Sequence, residues 1–377
     1  MTKEIRSDVS DFGLSVPLDD ASRKAILDEI VERGSRAARD IATQRGYSRV
    51  YTGGAPLAGL GSPRSDIDIF VVLDEMSSDL DEQVEYEGQR VDLEYMTLAG
   101  LTKRVAQAVP FVATATAPEQ LGRASRSWLD KTTRFLLGEI VVDDGSLKDL
   151  HSRLTSGVDD FTKLVIARHA QDIQNKGEDV DGALLNGDMF SAEYQSREIV
   201  YHAAESVLCA EGDPYINTKW LGARWARTMR GKSLESLGEL LENMGHPDRR
   251  FAVARNMWLS QDLVAQAATG YRYEIVTELP ATTAHPRPFA WRDPKFALLP
   301  LADGLVATRD FGRGTKLSRE GVLLWMVAHG RSRQQAVELA GEHFRAEGSA
   351  VSLVEIGKYY DSLLAKGLIM VDSVEIS

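Results

Sequence analysis

Residues 65–73 read Ser-Asp-Ile-Asp-Ile-Phe-Val-Val-Leu, two carboxylates spaced two apart at the start of an unbroken apolar run. In an extended chain alternate side chains share a face, so Asp66 and Asp68 point together while Ile67 and Ile69 turn toward a core. Alone, an Asp-x-Asp pair is common in soluble proteins. Two hard oxygen donors side by side suit Mg²⁺, which binds one or two carboxylates together with phosphate oxygens and keeps several waters.

The flanking chain supplies what such a strand needs. From Asp20 to about Arg45, Ile26, Ile30, Val31, Ala37 and Ile41 recur near the helical period, with Asp19 or Asp20 as N-cap. Val50-Tyr51 begins a short strand, and a Gly/Pro/Ser-rich loop runs from Gly53 to Ser65. Val84–Tyr86 and Arg90–Met96 flank the turn signal Glu87-Gly88-Gln89, which predicts a hairpin. The hairpin offers a third ligand, Asp92, with Glu94 on the same face in reserve. Glycine lets backbone N–H groups approach phosphate closely, so the loop and the acids together match metal-assisted phosphoryl chemistry.

Length and composition set the rest of the frame. With 377 residues, 43% of them hydrophobic, the chain has room for more than one core. The expected fold class is α+β, in three parts: an α/β domain at 1–110, a helical domain at 111–275 and a small α+β domain at 290–377. Between roughly 120 and 270 the strand pattern disappears, and 127–137, 157–174, 191–209 and 234–243 show helical spacing. Prolines at 280, 286, 288, 294 and 300 mark a linker or edge-strand region. One cysteine, Cys209, excludes an intrachain disulfide and a thiolate zinc cluster, and reads as a buried packing residue. A net charge of −12 argues against a long nucleic-acid partner. The absence of a leader-like start or an 18-residue apolar run predicts a cytoplasmic protein without a membrane partner.

Gly53-Gly54, Asp66-Ile67-Asp68 and Asp92 resemble the nucleotidyltransferase domain of the DNA polymerase β superfamily over roughly residues 20–105. Within it, Gly59-Leu60, Pro63 and Ser65–Asp68 are similar to the aminoglycoside adenylyltransferase type, which also appends a helical domain. The resemblance implies an enzyme that moves a nucleoside monophosphate, AMP from ATP, onto a hydroxyl. Asp66, Asp68 and Asp92 would be its catalytic metal ligands, and Gly53, Gly54 and Ser65 its triphosphate contacts. One departure stands out: Gly54, or Ala55 in the shorter alignment, occupies the place where the family usually carries serine, with Ser62 or Ser65 as the substitute hydroxyls.

In the helical part, Ser191 is the expected N-cap of a helix on which Glu198, His202 and Glu205 share a face. Glu193 and Glu198 are candidate acceptor contacts there, the plainer alternative being a solvated charged face. Lys219 beside Trp220 is a candidate triphosphate ligand, since an ammonium binds phosphate as a point charge and an indole can stack on a base. The segment 295–372 is similar to small winged-helix, PqqD-like domains, which implies a peptide bound as an added strand. Two functions follow: transfer to a small-molecule or peptide-linked acceptor, or a catalytically silent scaffold that binds nucleotide and peptide, which the Gly54 departure favours.

Overall fold

The computed structural model describes residues 19–62, 64–78, 80–231, 248–271, 289–310 and 313–371, and falls into two compact units. The expected helix at 234–243, Pro63 of the loop, and the prolines at 280, 286 and 288 lie outside the described residues.

The first unit takes residues up to Lys103 and then Arg134–Ser152. It opens with α1 (Asp20–Arg45), started by the Asp19 carboxylate, which accepts from the Ser22 amide, and ended by Gly46 in the left-handed conformation. Its sheet has strand order β3-β4-β2-β1-β5, with β1 Val50–Gly53, β2 Asp68–Leu73, β3 Gln83–Tyr86, β4 Gln89–Thr97 and β5 Glu139–Val142. Strands β2 and β4 run parallel and every other pair is antiparallel. The predicted hairpin closes through Glu87-Gly88, both at positive φ, the two-residue turn whose twist matches that of the strands.

Alternation divides the sheet. Ile69, Val71 and Leu93 pack with Ala37, Ala38 and Ile41 of α1. On the opposite face Tyr51 stacks on Phe70, ring centroids 4.6 Å apart, and Phe135 meets Tyr51 edge-on. Strand β5 corrects the expectation of no strand between 120 and 270. It pairs with β1 through Glu139, Ile140 and Val142, and Phe135 reaches the same sheet from the last turn of α4 (Arg126–Leu137). Helix α4 follows α2 (Leu98–Ala108) and α3 (Glu119–Arg123) and precedes α5 (Ser146–Ser156).

The second unit holds residues 104–133 and the chain from Arg153 onward. Helices α6 (Val158–Leu185), α7 (Met189–Ala210) and α9 (Arg249–Thr269) are packed together, with α8 (Leu221–Thr228) beside α7. The N-cap of α7 is Asp188, accepting from the Ser191 amide, so Ser191 lies inside the helix rather than capping it. Beyond residue 289 come β6 (Ala290–Arg292) paired with β10 (Ile369–Val371), and an antiparallel sheet of β7 (Ala297–Leu301), β8 (Gly304–Asp310) and β9 (Arg313–Leu317). Helices α10 (Arg319–Ala328), α11 (Arg333–Ala346) and α12 (Leu353–Ala365) complete it, each N-capped by serine.

The described residues within 153–271 and 289–371, on either side of the proline-rich stretch, belong to this second unit, whereas residues 134–152 belong to the first. A single apolar core runs from Ala170 and Val200 through Leu263 to Trp325 and Ile369. Arg292 on β6 is fully buried and forks onto Asp262 of α9 at 2.9 and 2.8 Å, an ion pair that fastens the two stretches together.

Candidate active site

The acidic residues converge because β2 and β4 are parallel neighbours. Ile69 pairs with Leu93 and Phe70 with Glu94, so one residue back on each strand Asp68 and Asp92 start side by side. Both acids, and Glu94, alternate with residues that pack on α1 and therefore occupy the other face. Upstream, Ile67 fixes the approach to β2. Its side chain presses on α1 at Gly34, where a Cβ would fall 2.5 Å from Ile67 Cδ1.

Gly54 closes the site from β1. Its φ of +109° is a conformation side-chain-bearing residues rarely adopt, and a Cβ there would lie 3.1 Å from Asp68 Oδ2. Backbone conformation and the nearby carboxylate together leave little room for a side chain at this position. Gly53 pairs with Asp68 across the β1–β2 ladder.

Burial pushes the Asp68 carboxyl up to about 6, opposed by the Arg134 guanidinium and reinforced by the charges of Asp66, Glu94 and Asp92. Arg134 donates directly to Asp68 Oδ2. Asp92 Oδ1 is buried without a hydrogen bond and faces Arg90 Nε at 3.4 Å. An oxygen-only donor set with an unsatisfied buried oxygen fits a hard cation. The oxygens of Asp66, Asp68 and Asp92 do not, however, all come within 4.8 Å of one another, and Asp66 is exposed. Ser65 is committed to the loop, its hydroxyl accepting from the Ser62 amide at 2.9 Å. Ser65 and Asp66 border a cavity of about 320 Å³ that Arg33, Arg64 and Arg90 also line.

The remaining expected residues belong to the second unit. Lys219 sits in a single 3₁₀ turn, its ammonium 5.0 Å from the Trp220 ring centre. Glu193 is paired with Arg197 and Arg249, and Glu198 lies 3.8 Å from Lys176. His202 and Glu205 are buried, so the alternative of a solvated charged face does not hold for them. Arg224 pairs with Glu205 and with Asp213, itself a buried carboxylate. Cys209 is buried, as expected. Arg134 is the residue that sequence reasoning missed. It lies on an ordinary amphipathic helix, and no spacing marks it as the partner of Asp68.

No helix among the described residues is long and apolar enough to cross a membrane. No family model matches the chain, and no curated protein matches it. A solved structure described as a nucleotidyltransferase-like protein from Exiguobacterium sibiricum 255-15 aligns with 68% of this chain and 82% of its own, at 12% identity and a TM-score of 0.34. A likeness this loose leaves the family open.

Proposed function

We propose that the chain is a Mg²⁺-dependent nucleotidyltransferase that moves a nucleoside monophosphate, AMP from ATP, to a hydroxyl of a small molecule or peptide-linked acceptor, releasing pyrophosphate. The observation that carries this reading is the start of the parallel pairing of β2 with β4, where Asp68 and Asp92 precede paired residues and Asp68 lies beside Gly54. Asp66, Asp68 and Asp92 would hold the metal, and the amides of the loop after Gly53 would approach the phosphates. Bound there, magnesium supplies charge neutralisation at the reacting phosphate and at the pyrophosphate leaving group.

The chain's own part is to position and to desolvate. Burial of Asp68 strengthens any charge it meets, and Arg134 holds that carboxylate in place. In this reading Lys219 supports the triphosphate, Glu193 and Glu198 contact the acceptor, and the segment beyond residue 290 binds a peptide. The test is pyrophosphate release by the purified protein with each of the four ribonucleoside triphosphates, Mg²⁺ and a panel of hydroxyl acceptors. Release that disappears in Asp66→Asn/Asp68→Asn supports transfer, and release unchanged in that variant overturns it.

A second reading, a silent scaffold that binds nucleotide, is favoured by the ion pair that Arg134 makes with Asp68, since it uses an oxygen the metal would need. Calorimetry showing Mg²⁺-ATP binding without release across the panel would select it.

A further inference from the structure

Helices α6 and α7 bring together three side chains that the acidic face of the sheet does not use. His169 and Asp172 are one turn apart on α6, and His202 faces them from α7. Both imidazoles are buried, and the Nδ1 atoms lie 3.1 Å from each other. One ligand atom from each of the three residues falls within 4.8 Å of the others, and among the described residues no other group of histidine, cysteine and acidic side chains does so.

A hydrogen bond between two neutral rings accounts for the 3.1 Å separation but not for the rest of the pair. His169 Nε2 is buried with no partner, whichever ring carries the shared proton. That nitrogen stays unpartnered with or without an ion between the Nδ1 atoms, so what points to a ligand is the grouping of the three side chains. The same separation is also the bite of a chelate. With metal–nitrogen bonds of about 2.0–2.1 Å, nitrogens that far apart subtend roughly 95–100° at the ion, between the octahedral and tetrahedral angles. Burial, followed by the nearby Arg126, Lys176 and Arg168, lowers His202 to about 3, and burial together with the neighbouring His202 holds His169 well below the ordinary imidazole value.

The surrounding cations are largely matched. Arg168 pairs with Asp172 at 2.7 Å, Lys176 with Glu198, and Arg224 with Glu205 and Asp213. Arg168 also donates to Gln171 Oε1 at 2.6 Å, so it keeps a partner when Asp172 turns toward an ion.

We propose that His169, Asp172 and His202 form a binding site for one divalent transition metal, such as zinc, cobalt or copper, that ties α6 to α7. Two imidazoles and one carboxylate select such ions over Mg²⁺ and Ca²⁺, which take oxygen donors, and three protein ligands leave a position for water.

The test uses tag-free, chelator-stripped full-length protein carrying Asp66→Asn/Asp68→Asn, so that the acidic face does not contribute. Titration with Co²⁺ should give one equivalent with visible d–d absorption, displaced by Zn²⁺, and the equivalent should vanish in His202→Gln. Asp172→Ala, at a partly exposed position, should weaken Co²⁺ binding by at least about tenfold while circular dichroism stays unchanged. Pulsed electron paramagnetic resonance of the Cu²⁺-loaded protein should show imidazole nitrogens, a readout that survives if His202→Gln fails to fold. Absence of Co²⁺ binding, binding that persists at full strength in a folded His202→Gln or Asp172→Ala, or a Cu²⁺ signal without imidazole modulation would each overturn the site.

Discussion

Replacing Asp68 by asparagine should make the metal-free protein more stable while removing its Mg²⁺-dependent turnover. The folded carboxyl titrates near 6 against an ordinary 3.8, because burial outweighs the pairing with Arg134. Between those values the folded state binds more protons than the unfolded state, so stability falls as pH rises through the window and the full deficit stands above 6. At 1.36 kcal/mol per pH unit that deficit is about 3 kcal/mol. The side chain is 20% exposed, so solvent screens it only in part. Asparagine keeps the shape, carries no charge at any pH and still accepts from Arg134. Urea denaturation in the presence of chelator at pH 4, 6 and 7.5 should show the two proteins converging at the acid end, with Asp68→Asn ahead by up to about 3 kcal/mol at pH 7.5. Equal stability at pH 7.5, or a wild-type advantage there, refutes the claim that burial and like charge govern this carboxylate.

Three further outcomes are expected. Gly54→Ala forces a side chain into a φ of +109° and against Asp68, so thermal denaturation should show a loss of about 1–3 kcal/mol, accompanied by lost pyrophosphate release. Asp262→Ala strands the buried Arg292 charge and should cost about 3–5 kcal/mol by chemical denaturation, much of it recovered when Arg292→Met is added. Burial pushes the Cys209 thiol up to about 12, so a thiol reagent at pH 8 should leave the native protein unmodified and label one group once urea is added.

What could be read from the sequence was local. The cap at Asp19 or Asp20, the alternation of 67–73 and the turn at Glu87-Gly88-Gln89 each depend on neighbours a few residues away; in the structure Asp19 caps the helix and Glu87-Gly88 turn the hairpin. The strand Glu139–Val142 has only four residues and a partner near residue 50, so its pairing left no local pattern. Arg134 was hidden for the same reason. The shared face of His202 and Glu205 followed from helical spacing, but its burial comes from α6 and from Arg224, which spacing along α7 does not encode. The proline-rich stretch drew the eye to a boundary, whereas the core continues from α9 into the C-terminal strands through Arg292 and Trp258.

Strand β5 and Arg134 also carry a consequence for synthesis on the ribosome. Asp68 emerges 66 residues ahead of its guanidinium partner. At about 5–20 residues per second, the nascent sheet spends roughly 3–13 s with Asp68 lacking Arg134 and β1 an open edge. A fragment ending near residue 110 lacks both Arg134 and β5, so its Asp68 has no such guanidinium partner and its β1 no outer strand.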